Sequence, residues 1–518
     1  MVPNEPPNRL LLQLVSRFQE NQFEAVLDEI CGLRARYPSS ISLINIEGSA
    51  YAKIKKYQEA LNSFDKLLKI QPNDAQAYNN IGNVYNEQGQ NCEAIAAYEK
   101  ALSLRPDYAE AFYNKGNVHK TLEDFDKAVT AYKAAIIHNP KYAQAFYNLG
   151  VVQQKLGDPK AAVKSYTKCI KINPNFAEAL NNMGNALVEK GEIVSAIKFY
   201  EKAIQLKPDY SEAFTNLGIA LNKTGDFATA LDSFRQALVL SPDNVEIRMS
   251  LGKCLKTNGQ DDEAAVYFEY AADLDENDIF GAKLHLASMA KIKAPSKTPI
   301  AFLEYFYKKR AKNWDFQPLE KYRGHFLIKK AFRKIGIKKT EAILDLGCGT
   351  GSLASFLRPK TKLLVGIDIS SDMLAMASGR SLYDVLRQED LEEHLAKTAL
   401  TYDIIVASAV FVHFLELDSI FQLVRNSLKT NGTLVFTVFE SDQDNSYLND
   451  FLMYSHHAKD IEGLLMKIGF EICLKHILLQ CNPLYTPAHP CIPLYTPKPV
   501  CLLHHCLPLA NSNFIFFL

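Results

Sequence analysis

The sequence predicts two structural classes in one chain: an α-solenoid of 34-residue helical repeats, followed by an α/β domain with a doubly wound parallel sheet. Three observations carry this. Proline recurs at 38, 72, 106, 140, 174, 208 and 242; glycine keeps the same step from 48 to 252; and beyond residue 340 apolar strand-like runs alternate with helical stretches around one glycine-rich loop. A fixed period of this length marks stacked helical repeats, and alternating strand and helix signals mark a parallel sheet. The bulk composition agrees: 518 residues that are 47% hydrophobic and 22% charged exclude a disordered or collagen-like chain. Lys and Arg total 58 and so do Asp and Glu, which argues against a generally basic nucleic-acid binder. No apolar run approaches the ~18 residues of a membrane helix, so no membrane partner is expected. The amino terminus lacks a basic patch followed by an apolar run. Ten cysteines without close pairing in the main body suit a reducing compartment, so a cytoplasmic location is expected.

The repeats come first. Alanine keeps the period at 60, 94, 128, 162, 196, 230 and 264, and an aromatic follows each by four: Phe64, Tyr98, Tyr132, Tyr166, Tyr200, Phe234 and Phe268. In residues 75–108, Tyr78, Ile81, Gly82 and Tyr85 share one helical face. Gly89 closes that helix, Ala94 and Tyr98 lie on one face of the next, and Pro106 follows where it cannot continue it. This pattern resembles the tetratricopeptide repeat. The array is expected over 7–278, about eight repeats with the first degenerate. The resemblance implies a superhelix with a concave groove lined by the first helix of each unit. Asn80, Asn114, Asn148, Asn182 and Asn216 stand two positions before successive glycines. Amides both donate and accept, and this ladder is similar to that of the protein O-GlcNAc transferase repeats. It implies a protein or peptide partner gripped along its backbone; the alternative is bonding within the helix layer.

Residues 279–340 read as a basic linker with pre-domain helices. Between Lys291 and Lys339 there are 15 Lys or Arg against Glu304, Asp315 and Glu320. Nucleic acid is a possible partner of this segment, but a solvated helix surface is the favoured reading.

Residues 342–351 read Ala-Ile-Leu-Asp-Leu-Gly-Cys-Gly-Thr-Gly, an apolar strand breaking into a loop with glycine at every second position. Serine at 352 departs from the dinucleotide fingerprint, and no Gly-Lys-Ser/Thr follows, so the loop is not patterned for a pyrophosphate. An acid two residues before the first glycine instead resembles motif I of class I S-adenosyl-L-methionine-dependent methyltransferases. Their other landmarks follow in order: a strand ending in Asp368, a helix start at Ser370-Ser-Asp-Met-Leu374, Asp390 before Leu391, a fourth strand over 402–410, a fifth over 432–438, and a turn at 467–474. The resemblance covers 341–480 and implies a Rossmann-like sheet and S-adenosyl-L-methionine as cofactor. It implies Asp345, Gly347, Cys348, Gly349 and Gly351 as the cofactor loop, Asp368 and Ile369 at the ribose, Asp390 and Leu391 at the adenine, and Ser408 beyond strand four. His413 is the candidate base, with packing beneath a lid as its alternative; no metal site is expected. The whole chain resembles bacterial-type methyltransferases fused behind tetratricopeptide repeats, whose pre-domain aromatic pattern is echoed from Tyr305 to Asp315, with Ala311 and Trp314. It departs from them at Ala407-Ser-Ala-Val410, where an acid is missing.

From 481 to 518 the character changes: a decapeptide, Cys481–Pro490, is echoed by Cys491–Val500, and Lys498 is the one charge. The resemblance calls for a seventh, antiparallel strand. Dense proline cannot supply one, so the carboxy-terminal edge is expected to be incomplete and the tail disordered, with Asn513–Leu518 the one strand-like run. A zinc site at Cys501, His504, His505 and Cys506 is disfavoured, since these cysteines follow the decapeptide. The function implied is methyl transfer to an unidentified acceptor, with the repeats recruiting a partner or substrate. The alternative is a repeat scaffold carrying an inactive or S-adenosyl-L-methionine-sensing fold.

Overall fold

The computed structural model describes residues 5–308, 310–311, 314, 324–441, 443, 446–475 and 513–517. The chain divides into two compact units, Met1–Ala220 and Leu221–Leu518.

The first unit is a series of helix-turn-helix pairs, beginning with Asn8–Gln19 and Phe23–Arg34 and continuing through Ala177–Glu189 and Ile193–Leu206. The shared period of glycine and aromatic has a direct cause. Gly48, Gly82, Gly116, Gly150 and Gly184, each on a first helix, face the ring that lies sixteen residues later on the second. A Cβ at Gly82 would lie 2.5 Å from Tyr98, and one at Gly184 would lie 2.4 Å from Tyr200. The rings of Tyr98, Tyr132, Tyr166 and Tyr200 are consequently fully buried. Asp74, Asp124 and Asp158 cap helix starts by accepting a backbone N–H three residues on. Gly89, Gly157 and Gly191 take positive φ at the turns between helices.

The second unit opens with further repeat helices (Phe227–Leu240, Val245–Thr257, Asp261–Leu274), then Ala282–Ser288, Ile300–Lys308 and Gly324–Ile335. Among the described residues ten strands follow: β1 (Thr340–Leu346), β2 (Thr361–Asp368), β3 (Val385–Gln388), β4 (Tyr402–Ala407), β5 (Leu428–Phe436), β6 (Phe439–Glu440), β7 (Tyr447–Leu448), β8 (Tyr454–His456), β9 (Phe470–Lys475) and β10 (Asn513–Phe517). The main sheet runs β3-β2-β1-β4-β5-β10-β9, and β6-β8-β7 form a small second sheet. Alternation sorts β1: Leu344 and Leu346 join one core with Phe421 and Leu465, while Ile343 joins the other with Leu327, Phe332 and Leu357. Both faces are therefore covered, as a parallel sheet requires. Chain order reverses at β1, between β2 and β4, the usual position of a ligand crevice in such sheets.

The carboxy-terminal edge differs from the expectation. β10 fills the place between β5 and β9, and it runs parallel to both rather than antiparallel. Its five residues contain no proline and four apolar side chains, a composition that suits a central strand. Parallel neighbours need a crossover of a dozen or more residues, and 476–512 is long enough. The rest of the 481–518 tail, including the cysteines and histidines at 501–506, lies outside the described residues.

Gly184→Ala tests the helix-pair packing. The added methyl collides with the Tyr200 ring, so a loss of about 1–3 kcal/mol is expected, read as a lower urea midpoint by far-ultraviolet circular dichroism.

Candidate functional site

The register of the sheet assembles the site. Leu346 pairs with Ile367 on one side and with Ala407 on the other, so the chain leaves β1, β2 and β4 at the same edge. There Gly347, Gly349 and Gly351 have φ of +67°, +55° and +74°, which only glycine adopts without strain. The loop is tied to β2: Cys348 N donates to Ile367 O at 2.9 Å, and Gly349 N donates to Asp368 Oδ2 at 2.8 Å. Asp368 Oδ1 accepts from Ser370 N at 2.9 Å. One cavity lies above this edge. Asp345, Gly347, Cys348, Gly349, Asp368, Ile369, Asp390, Leu391, Ser408 and His413 all line it. Gly351 sits beneath, where a Cβ would press on Tyr383 and Ala377 at 3.1 and 3.3 Å. A Cβ at Gly349 would meet no atom within 4 Å, so its absence leaves open a cradle along the loop backbone.

The carboxylates differ in environment. Asp345 is 2% exposed and accepts from the Tyr383 hydroxyl at 2.7 Å; burial pushes its pKa up to about 7. Burial also raises that of Asp368, against the backbone N–H groups that hold its charged form. Asp390 Oδ1 caps the helix Leu391–Lys397 by accepting from Glu392 N and Glu393 N, and its Oδ2 lies 3.8 Å from Lys297 Nζ. Burial drives the Cys348 thiol well up, which suits packing and not nucleophilic attack.

His413 meets the Tyr307 hydroxyl through Nε2 at 2.7 Å, while its Nδ1 is enclosed without a partner. Desolvation pulls its pKa down to about 4, so the ring is neutral near pH 7. Ala409 lies beside it in the left-handed region, φ +56°, at the position where the related pattern has an acid, and its N donates to Thr437 Oγ1. His456 bonds the Phe411 carbonyl and does not line the cavity.

Of the connector's contribution to the cavity, the sequence pointed to Trp314 and missed the rest. Lys297, Thr298, Ile300, Leu303 and Tyr307 line the same cavity, together with Trp314, and all belong to the connector. Residues 296–298 run antiparallel to the end of this loop: Thr298 N donates to His413 O at 2.8 Å and Leu415 N to Ser296 O at 2.7 Å. The available signal was the aromatic-rich helix just past the Pro295–Pro299 linker. The basic character of 291–339 is partly neutralised, since Lys291 pairs with Asp262 and Lys297 with Glu392.

In the first unit the side-chain amides of the expected asparagines make bonds along the stack. Asn80 Nδ2 donates to Asn45, Asn114 to Asn79 and Asn83, Asn148 to Tyr113 and Asn117, Asn182 to Tyr147, and Asn216 to Asn181. Every one of these bonds reaches the preceding repeat, so the donors cross-link the stack. The position after the glycine carries a second series: the Oδ1 atoms of Asn83, Asn117 and Asn185 accept from the hydroxyls of Tyr98, Tyr132 and Tyr200. Valine at 151 and isoleucine at 219 interrupt that series, which hid it. Among the described residues no His/Cys/Asp/Glu group is suited to a metal, and no helix is long and apolar enough to cross a membrane.

Residues 319–475 match the family described as Methyltransferase domain, and 48–89, 82–123, 121–157 and 184–225 match TPR repeat, with tetratricopeptide matches also at 143–176, 165–198 and 215–279. The malonyl-[acyl-carrier protein] O-methyltransferase of Priestia megaterium is 29% identical over 163 residues, 30% of this chain and 57% of that protein. The mitochondrial ubiquinone biosynthesis O-methyltransferase of Homo sapiens is 32% identical over 108 residues, 20% of this chain and 29% of that protein. The chain thus spans less than two thirds of either relative. Among solved structures, YrrB, "a TPR protein with an unusual peptide-binding site", is 27% identical, covering 36% of this chain and 96% of its own, with a TM-score of 0.33.

Two outcomes are expected. Folding favours neutral Asp345, so the stability it contributes is full below pH 3.8 and is lost as pH rises through about 7. Asp345→Asn removes that loss: its stability relative to the wild type should climb across this window, by at most on the order of 4 kcal/mol, in paired denaturant titrations. Asn114→Ala deletes two inter-repeat bonds and should cost about 1–3 kcal/mol, read as a lower thermal midpoint.

Proposed function

Because the chain joins tetratricopeptide repeats to a methyltransferase domain, we propose that it transfers a methyl group from S-adenosyl-L-methionine to an acceptor oxygen, while the repeats hold a protein partner or substrate in the cytoplasm. We take the repeats as 7–278, the connector as 279–340 and the domain as 341–480. The observation that carries the reading is the single cavity at the strand ends, where the glycine loop, Asp368 and Asp390 meet.

The residues present fit the cofactor. The open backbone at Gly349 provides a cradle. Both Asp368 oxygens accept backbone N–H groups, and a carboxylate with four lone-pair sites keeps acceptor capacity for a ribose hydroxyl. Asp390 Oδ2 lies 3.8 Å from Lys297 Nζ and keeps a lone pair for an adenine amino group, its other oxygen being used as the helix cap. When bound, the cofactor supplies a methyl group already activated by a sulfonium. What remains for the chain is to align the acceptor and exclude water, which Ile300, Leu303, Phe414 and Met453 suit as apolar wall residues. His413, neutral and tied to Tyr307, is a weak base, and orienting the acceptor is the role its geometry favours. Both relatives named above are O-methyltransferases, which supports oxygen as the methyl-accepting atom. For the repeats, the amide N–H2 groups of Asn83, Asn117 and Asn185 are better suited to a partner than the cross-linking series.

One observation favours a second reading, a scaffold that binds the cofactor without turnover: Ala409 stands, in a strained conformation, where the related pattern has an acid. Titration with S-adenosylhomocysteine should raise the thermal midpoint, corresponding to about 2.7 kcal/mol at a hundredfold excess over Kd, and Asp368→Ala should abolish the shift. An unshifted wild type would sink both readings. A shift without methyl transfer to any lysate component would leave the scaffold.

A further inference from the structure

The acceptor end of the cavity has a distinct chemistry. Two enclosed polar atoms there lack partners: Thr298 Oγ1, on a residue 2% exposed, and His413 Nδ1. Both residues line the cavity, and they are held together because Thr298 N donates to the His413 carbonyl at 2.8 Å. A buried polar atom left unpaired is costly, and a ligand group can satisfy it. Around them the wall is aromatic. The Tyr307 ring stands edge-on to Trp314 at 5.6 Å and to His413 at 5.9 Å, and Phe439 and Met453 complete the lining. Lys297 is the one lysine or arginine lining the cavity among the described residues, and it is committed to Glu392 at 2.6 Å and Asp390 at 3.8 Å.

We infer that the acceptor is an uncharged, hydroxyl-bearing aromatic compound, bonded by Thr298 and His413 and flanked by the rings of Tyr307 and Trp314. This rests on the methyl-transfer reading above. A hydroxyl donates and accepts, so it can pair with both the threonine oxygen and the imidazole nitrogen whichever tautomer is present. An aromatic acceptor extends an edge-to-face cluster already in place. Among the described lining residues a carboxylate or phosphate would find Lys297 already paired, so its desolvation would be poorly repaid. Thr298 and Tyr307 precede the matched methyltransferase segment, which starts at 319, so the connector selects the acceptor. Tyr307 is a positioning residue: it fixes the imidazole through Nε2 and leaves Nδ1 to the ligand.

The chain's single tryptophan makes this directly measurable, because Trp314 lines the cavity. The full chain is loaded with S-adenosylhomocysteine, with loading verified by calorimetry, and titrated with catechol, 4-hydroxybenzaldehyde or monomethyl malonate while tryptophan emission is followed. At least one phenolic probe should quench saturably and the malonate half-ester should not. Thr298→Val should weaken the phenolic probe about tenfold, the equivalent of one hydrogen bond; Thr298→Ser should restore it to within about twofold, a rescue that a packing role alone would not give. Tyr307→Phe should weaken it about threefold with homocysteine-adduct binding unchanged. The inference is overturned if neither phenol quenches in the loaded protein, if the half-ester binds as tightly, or if Thr298→Val binds like the wild type. Failure of the loading step would instead remove the methyl-transfer reading, and this inference with it.

Discussion

The pairing of β1 with β2 on one side and β4 on the other is the constraint on which the candidate site depends. Leu346 is opposite both Ile367 and Ala407, so three strands end level and three loops emerge together. A shift of one residue in either register would turn the side chains of that strand to the wrong core and carry Asp368 or Ser408 away from the glycine loop. The cores on the two faces, with Leu344 and Leu346 on one and Ile343 on the other, hold that alignment. The charges at the site depend on the same burial: Asp345 and Asp368 are enclosed by the strands that place them.

In the repeats, a comparable constraint is the close approach of helices at glycine. It fixes the ring sixteen residues later and, at Tyr98, Tyr132 and Tyr200, brings the hydroxyl onto the asparagine that follows the glycine. The cross-linking asparagines then connect one pair to the one before, so polar side chains help hold a stack whose apolar contacts are mostly local.

Much of this was legible in the sequence. The 34-residue step gave helix pairs, because packing repeats faithfully enough for glycine and aromatic to stay in phase. The order of Asp345, Gly347, Gly349, Asp368 and Asp390 gave the sheet and members of the cavity, since each stands at or just past a strand end. Other features depended on three-dimensional pairing. Asn114 reads as a free amide in sequence, and only the position of Asn79 and Asn83 shows its donors occupied. Thr298 and Tyr307 lie far from the motifs and enter the cavity through a backbone pairing with 413–415 that no spacing announces. β10 likewise takes its place through a parallel pairing with β5 and β9 that the proline-rich stretch before it conceals.

That pairing of residues 296–298 with 413–415 also bears on what counts as a separable part. The connector supplies a wall of the cavity, and Lys256 of a repeat helix reaches Asp450 near the small sheet. A fragment beginning at 341 would keep every sequence motif and yet lack one side of its own pocket. Exchanging the connector of such a chain would remake one wall of its pocket while leaving every motif of the sheet in place.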